Sequence, residues 1–369
     1  MKLGTCHMSE WTKVLKGNPL NWLTAADNPA VRYQTLIHLL DHSTDHPDVL
    51  EMRGLISSDP KVARILSKQS RDGHWESSTE PYKPKYKSSY WQVMILGMLG
   101  LERSNLNVER AVEHVFQFQH EKGGFAEYGE AGARRKYQRM KEKLLKKGQK
   151  PPTEDQWTQE KVHDSQLTCL TGNVCLALVR LGYGSDRRVK RALRWLVNVQ
   201  NEDGGWLCPY WGAHKDDRHG CFMGTITPLD AFSEMPANDR PPDMIDSLDA
   251  GVEFLLMHRL FRADHHGFKV INESWLELGF PQFFYDLLRG LSVVCKAGYA
   301  DDERIDEALR ILLDKQLADG SWILESSPIG RMQTNLEQKG RPSKWVTLEA
   351  LRVVKSVYET RGAFELDRL

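Results

Sequence analysis

The chain has no surplus of charge of either sign, with 50 Lys and Arg against 50 Asp and Glu over 369 residues. Nothing in that balance attracts a polyanion, so nucleic acid is not an expected partner. Cysteine is sparse, and six thiols scattered along a chain without a secretory signal read as reduced cysteines of a cytoplasmic protein. No apolar run reaches the length of a membrane span, and the opening MKLGTCHMSEWTKVLKG lacks the apolar centre of a signal peptide. Strand signals are almost missing, and no Pro/Gly/Ser-rich linker divides the chain, so a single all-α domain over residues 1–369 is expected.

What the chain has in quantity is repetition. Four times a glutamine is followed by a glycine four residues on and by an aromatic ring two further: Gln69 to Trp75, Gln119 to Phe125, Gln200 to Trp206 and Gln316 to Trp322. Recurrence of this kind marks a fold built by stacking copies of one supersecondary unit. Upstream of the last three lie segments that align without a gap, Val108 to Gln119, Val189 to Gln200 and Ile305 to Gln316. In the middle one, Val189, Ala192, Leu193, Leu196 and Val199 fall on one helical stripe. Each motif therefore ends an amphipathic outer helix, and its glycine supplies the turn.

A more apolar helix precedes each of these: Trp91 to Leu101, Gly172 to Tyr183 and Tyr285 to Tyr299. Such helices read as the buried, inner members of pairs. A worn copy runs from Ile226 to Phe268, and partial copies lie at Asn28 to Leu40 and Trp345 to Tyr358. About six helical hairpins result, enough to close a ring or form a short solenoid.

The Gln-x3-Gly-x-Trp loops resemble those of the α/α toroids of squalene-hopene cyclases, class II terpene cyclases and protein prenyltransferase β subunits. The resemblance covers roughly residues 27–358 and implies an all-α fold, an α/α toroid of the α6/α6 type. It also implies that Gln69, Gln119, Gln200 and Gln316 are scaffold, their side chains tying helix ends while the aromatic ring caps the neighbouring outer helix. The function it suggests is a prenyltransferase-like or terpenoid-cyclase-like enzyme taking an isoprenoid or other apolar molecule in the toroid lumen. A non-catalytic lipid- or protein-binding toroid and another lyase or hydrolase on the same fold stand as alternatives, since one fold hosts several chemistries.

The departures are specific. Squalene-type cyclases protonate an alkene with an Asp-x-Asp-Asp acid, and no such tetrad occurs here, so a standard protonation-initiated cyclase is not expected. An Asp-Asp-x-x-Asp for magnesium diphosphate is missing too. Attention falls instead on the loop after Trp206, where Cys208, His214, His219 and Cys221 lie close in sequence. Thiolate and imidazole are the ligands zinc prefers in a tetrahedral site, so Zn2+ is the expected cofactor, although the Cys-x5-His-x4-His-x-Cys spacing matches no standard finger. In the prenyltransferases the zinc ligands stand at inner-helix starts, and His219 and Cys221 open an inner helix in the same manner. Solvated histidines and buried cysteines are the plain alternative. Cys169, Cys175 and Cys295 read as core.

Aromatic residues crowd the inner-helix starts, among them Tyr210, Trp211, Phe284, Tyr285 and Trp345. They are candidates for lining an apolar site or steadying a cation, against the commoner role of packing. Asp164, Asp230 and Asp286 are the candidate acids of the same layer. Lys215 and Arg218 are candidates for receiving a diphosphate. The repeat is broken by an insertion at about 129–162, whose segment Ala133 to Lys150 carries nine Lys and Arg against one Glu. Tyr137, Met140 and Leu144 make it an amphipathic basic helix, a candidate for peripheral membrane contact or a lid, or simply a solvated face.

Overall fold

The computed structural model describes residues 10–214 and 216–362. In chain order its helices are α1 (Leu20–Leu23), α2 (Pro29–His38), α3 (Pro47–Leu55), α4 (Pro60–Leu66) and α5 (Ser89–Met98). There follow α6 (Leu106–Phe116), α7 (Glu130–Lys146), α8 (Glu154–Asp164), α9 (Thr168–Leu178) and α10 (Arg187–Asn198). The last are α11 (Phe222–Glu234), α12 (Pro242–Met257), α13 (Leu287–Lys296), α14 (Asp306–Asp314) and α15 (Lys344–Arg361). Among the described residues strand is confined to two small antiparallel ladders, β1 (Arg262–Ala263) with β2 (Lys269–Val270), and β3 (Trp322–Ile323) with β4 (Pro342–Ser343).

The described residues group into two compact units. One draws on residues up to Asp59, on Leu255–Ile329 and on residues from Leu336 onward; the other holds Pro60–Phe254 and Gly330–Asn335. In the second unit α9 packs between α5 and α11, and α6 and α10 lie against this row. α5 is buried from Ser89 to Gly97, as its apolar composition requires, whereas α10 buries Val189, Ala192, Leu193, Trp195 and Leu196 and exposes its basic face. The α9–α11 approach is close because Gly172 has no side chain: a Cβ there would stand 2.5 Å from the Thr227 backbone. In the first unit α15 packs on α13 and α2, and α14 covers α13.

The motif residues stitch each unit. Gln69, Gln119 and Gln200 each donate to the carbonyl of their own motif glycine at 2.7–3.0 Å and to a carbonyl near the start of the next outer helix, Asn107, Arg188 and Ser247 in turn, each at 2.8 Å. Gln316 keeps the bond to Gly320 O at 3.1 Å and accepts from the Lys16 N–H. The tryptophan N–H turns back to the outer helix it follows, Trp75 to Ile65 O, Trp206 to Leu196 O and Trp322 to Leu312 O, at 2.7–2.8 Å. The Trp206 ring also lies over Gly251 of α12, so it covers the neighbouring outer helix as expected. Gly73, Gly123, Gly204 and Gly320 all take positive φ, and a Cβ on Gly204 would meet Ala250 O at 2.3 Å.

One part of the stitch has no fixed place in the sequence. The motif aromatic's backbone N–H donates to a hydroxyl near the start of the next inner helix: Trp75 to Ser89, Phe125 to Thr171, Trp206 to Thr225 and Trp322 to Thr347, at 2.9–3.1 Å.

The insertion is a helical hairpin, not one helix. α7 carries the expected stripe, with Tyr137 buried and Met140 and Leu144 half-buried, and α8 packs back on it. Tyr137 donates to Pro152 O at 2.8 Å and meets the Trp157 ring, while Arg134 pairs with Asp155.

Candidate functional site

The three candidate acids fall in different surroundings. Asp164 ends α8 half-exposed beside His163, whose Nδ1 lies 3.1 Å from it. Asp230 is buried within α11, where Arg180 reaches it at 3.9 Å and Glu234 at 2.9 Å, so it belongs to an internal ion network. Asp286 is buried at the N-cap of α13. Its Oδ1 accepts the Arg289 N–H at 2.8 Å and its Oδ2 the Gly279 N–H at 3.0 Å.

Burial dominates at Asp286 and pushes its carboxyl up to about 6, against the pull of those two N–H donors and of the Arg289 guanidinium; the Glu349 carboxylate adds to the rise. Rings stand around it. Phe280, which follows Gly279, stacks on Trp345 with centroids 4.7 Å apart and planes 4° apart. Tyr285 meets Trp275 at 5.0 Å and donates its hydroxyl proton to Leu260 O. Phe284, just before Tyr285, leaves 39% of its surface exposed, and Tyr285 and Trp345 stand near the starts of α13 and α15 in two separate ring pairs. Along the same two helices Glu349 holds Ser292, Arg352 and, at 3.9 Å, Lys296.

The other unit holds a second cluster, around Cys208. The first turn of α9 meets this loop, where the Thr168 hydroxyl donates to Leu207 O at 2.5 Å, and hydrogen bonding from Cys169 and Thr168 favours the charged form of the Cys208 thiol. A helix N-terminus presents unsatisfied donors that suit an anion. The Cys169 thiol, first among these donors, brings the Cys208 thiol down to about 7 despite its burial, and the Cys169 thiol rises in return. Cys169 was expected in the core and is half-buried. Cys175 and Cys295 are buried, as expected.

The four expected zinc ligands do not fit a tetrahedral site. Among the described residues no three of Cys208, His214, His219 and Cys221 bring ligand atoms within 4.8 Å of one another. His214 Nδ1 accepts the Cys208 backbone N–H at 3.2 Å, and His219, exposed on the loop, turns Nδ1 to Gly220 O at 3.0 Å. Cys221 is the N-cap of α11, as foreseen, but without a side-chain capping bond. The loop from Cys208 is held by its own turns, Trp211 N to Cys208 O and His214 N to Trp211 O.

Of the remaining candidates, Tyr210 meets the His163 ring at 4.1 Å with the planes tilted by 48°, and Trp211, 52% exposed, meets the His214 ring. Arg218 is exposed and gives its carbonyl to Asn201. Lys215 lies outside the described residues. Tyr90 and Trp91 are packing: the first donates to Ala126 O and the second to Tyr82 O. Among the described residues no helix is long and apolar enough to cross a membrane.

No protein-family model matches the chain, and no curated protein matches it. Solved structures do show a likeness. A protein from Actinoplanes is 16% identical over 90% of each chain, with a TM-score of 0.42. The type II terpene cyclase MstE from Scytonema, as a variant in complex with merosterolic acid A, is 15% identical over 92% of this chain and 90% of that one, with a TM-score of 0.43. The same cyclase without ligand is 15% identical over 90% and 88% of the two chains, again at 0.43. So shallow a likeness assigns the chain no activity.

Proposed function

We propose that the chain is a terpenoid-cyclase-like enzyme that folds an isoprenoid or similar apolar substrate against the rings of Phe280, Phe284 and Trp345, with Asp286 as its general acid. The observation that carries this reading is the buried Asp286 carboxyl at the start of α13, raised by burial to about 6. A carboxyl so placed keeps a proton into the weakly acidic range, and its two accepted N–H bonds leave further lone pairs for that proton. The chemistry is an isomerisation. The acid proton adds to a terminal alkene, the cation closes rings across the polyene, and loss of a proton gives a product of unchanged mass.

The reading takes the repeated hairpins as the wall of an α/α toroid, the arrangement the sequence repeat implies. It departs from squalene-type cyclases in placing the acid on a helix cap, outside any Asp-x-Asp-Asp tetrad. A prenyltransferase-like reaction receives less support, because the Cys and His residues that would hold zinc are not assembled. A non-catalytic lipid-binding module is the second reading, and the double capping of Asp286 favours it, since a carboxyl that fastens α13 has a structural use already.

The experiment incubates the protein with a panel of linear polyprenyl substrates, free, arylated and diphosphorylated, and follows isomeric cyclic products by mass spectrometry and binding by tryptophan fluorescence. Cyclisation by wild type and its loss in Asp286→Asn, with binding kept, is the expected result. Binding without turnover by wild type supports the lipid-binding module, and full turnover by Asp286→Asn removes Asp286 from the chemistry.

A further inference from the structure

Between α10 and the start of α12 lies a cavity of about 540 Å³, and neither Asp286 nor the rings near it line this space. Its size falls within the roughly 300–1,000 Å³ of small-molecule sites. Leu193, Val197, Met235 and Met244 give it an apolar lining. Charged groups line it too. Arg194 is paired with Asp243, Asp239 is exposed, and Lys190 and Arg191 add two cations from the exposed face of α10. Arg240 is placed differently. Its Nε donates to Met235 O at 2.9 Å and its Nη2 to Ser233 O at 2.7 Å, so it covers the end of α11, where helix carbonyls are left over. It is half-buried, and among the described residues no carboxylate pairs with it. A guanidinium is planar with five N–H donors, and those two bonds occupy its Nε–Nη2 edge. The Nη1–Nη2 end, a second two-pronged edge, is left for a carboxylate.

We propose that this cavity binds a single-chain fatty carboxylate, with its head on the free end of the Arg240 guanidinium and its hydrocarbon tail along Leu193, Val197, Met235 and Met244. Charge complementarity selects the head. With Asp243 held by Arg194, the cations Lys190, Arg191 and Arg240 outnumber Asp239, so the cavity is net positive and turns away a cationic amphiphile. A planar carboxylate offers two oxygens to the two prongs of the guanidinium end, which a lone hydroxyl does not. The lining selects the tail, since every methylene moved from water onto apolar side chains adds to affinity. A bound chain touches both α10 and the start of α12, so occupancy fastens one to the other and stabilises the folded state by mass action. The proposed acid and its rings take no part in this site.

The test titrates the full-length protein with dodecanoate, kept below its micelle concentration, by isothermal calorimetry. A fatty acid with a diazirine in its tail is then photolysed on the protein, and the labelled peptides are mapped by mass spectrometry. The expected result is saturable binding of one dodecanoate per chain, with label on residues 190–197 and 235–244 that excess dodecanoate removes. Arg240→Gln should weaken binding roughly tenfold or more, the order of a charge-assisted hydrogen bond. Val197→Asp leaves the Arg240 bonds to α11 in place and should weaken binding by a similar factor, because it sets a charge in the path of the tail. Dodecanol and dodecyltrimethylammonium should bind at least roughly tenfold more weakly than dodecanoate. Binding that never saturates, label confined to other segments, or dodecanol binding as tightly as dodecanoate overturns the proposal. A preference of roughly tenfold for dodecyl phosphate gives the head to a phosphate and overturns the carboxylate assignment. The wild-type label map decides the matter even where a variant folds poorly.

Discussion

Replacing Asp286 by Asn should change how stability depends on pH more than stability itself. The carboxyl is enclosed by protein and titrates in the folded chain at about 6, with burial the leading cause. An unfolded Asp titrates at about 3.9, so the native state binds more protons across that interval, and stability falls as pH rises through it. The contribution is fully present below about pH 4 and lost above about pH 6; a difference of about two pH units corresponds to about 3 kcal/mol. The amide that Asp286→Asn introduces does not titrate, and it matches the protonated acid in shape, although its NH2 group turns a donor toward either the Gly279 or the Arg289 N–H. Urea unfolding of both proteins, followed by tryptophan fluorescence and circular dichroism from about pH 4 to about pH 8, gives the gap between variant and wild type at each pH. All other titrating groups are common to the two proteins and cancel. The gap should move in favour of the variant by about 3 kcal/mol between the ends of that range. A gap constant to within about 1 kcal/mol, or one moving the other way, would show that the two N–H donors outweigh burial. The carboxyl would then be an ordinary anionic cap, and its assignment as an acid would fall.

Gln200→Ala removes donors to Gly204 O and Ser247 O and the acceptor of the Ser247 hydroxyl, and should cost about 2–3 kcal/mol in thermal or denaturant unfolding, at roughly 1 kcal/mol per bond. Gly204→Ala forces a side chain into φ +82 and against Ala250 O, and should destabilise by more than the roughly 1 kcal/mol of the backbone term alone; a neutral result would mean that the turn after α10 yields easily. Cys169→Ala takes away the leading donor to Cys208, so the ultraviolet thiolate signal of Cys208 should titrate higher, toward the ordinary thiol value of about 8.5, and an unmoved titration would deny the contact.

The helical pairs were legible because their signal is local. Glycine at a fixed distance from glutamine ends a helix wherever the chain places it, and a period of 3.6 in apolar residues states which face is covered. Thr171, Thr225 and Thr347 gave no such signal, since their partners lie at a different separation in every copy. Cys169 was assigned to the core from its apolar neighbours along the helix, while its decisive neighbour, Cys208, comes from another loop. The zinc reading rested on closeness in sequence, and among the described residues no three of Cys208, His214, His219 and Cys221 bring ligand atoms within 4.8 Å of one another. Asp286 was visible as a carboxyl at an inner-helix start, but burial, which sets its acidity, is a property of the packed chain. The second helix of the insertion, α8, was hidden by its mixed polar composition.

The bond from each motif aromatic to the next inner helix spans 14, 46, 19 and 25 residues in the four copies. The two ends of each excursion are pinned to one another by a single short contact, whatever the chain does between them. The longest excursion holds the whole α7–α8 hairpin, and Phe125 and Thr171 still meet at 2.9 Å. These intervals are therefore insertion ports: a new loop, hairpin or small domain added there alters what a copy displays without loosening the copy itself. A chain of this design acquires new surface chemistry by lengthening between fixed points, with no need to remake its core.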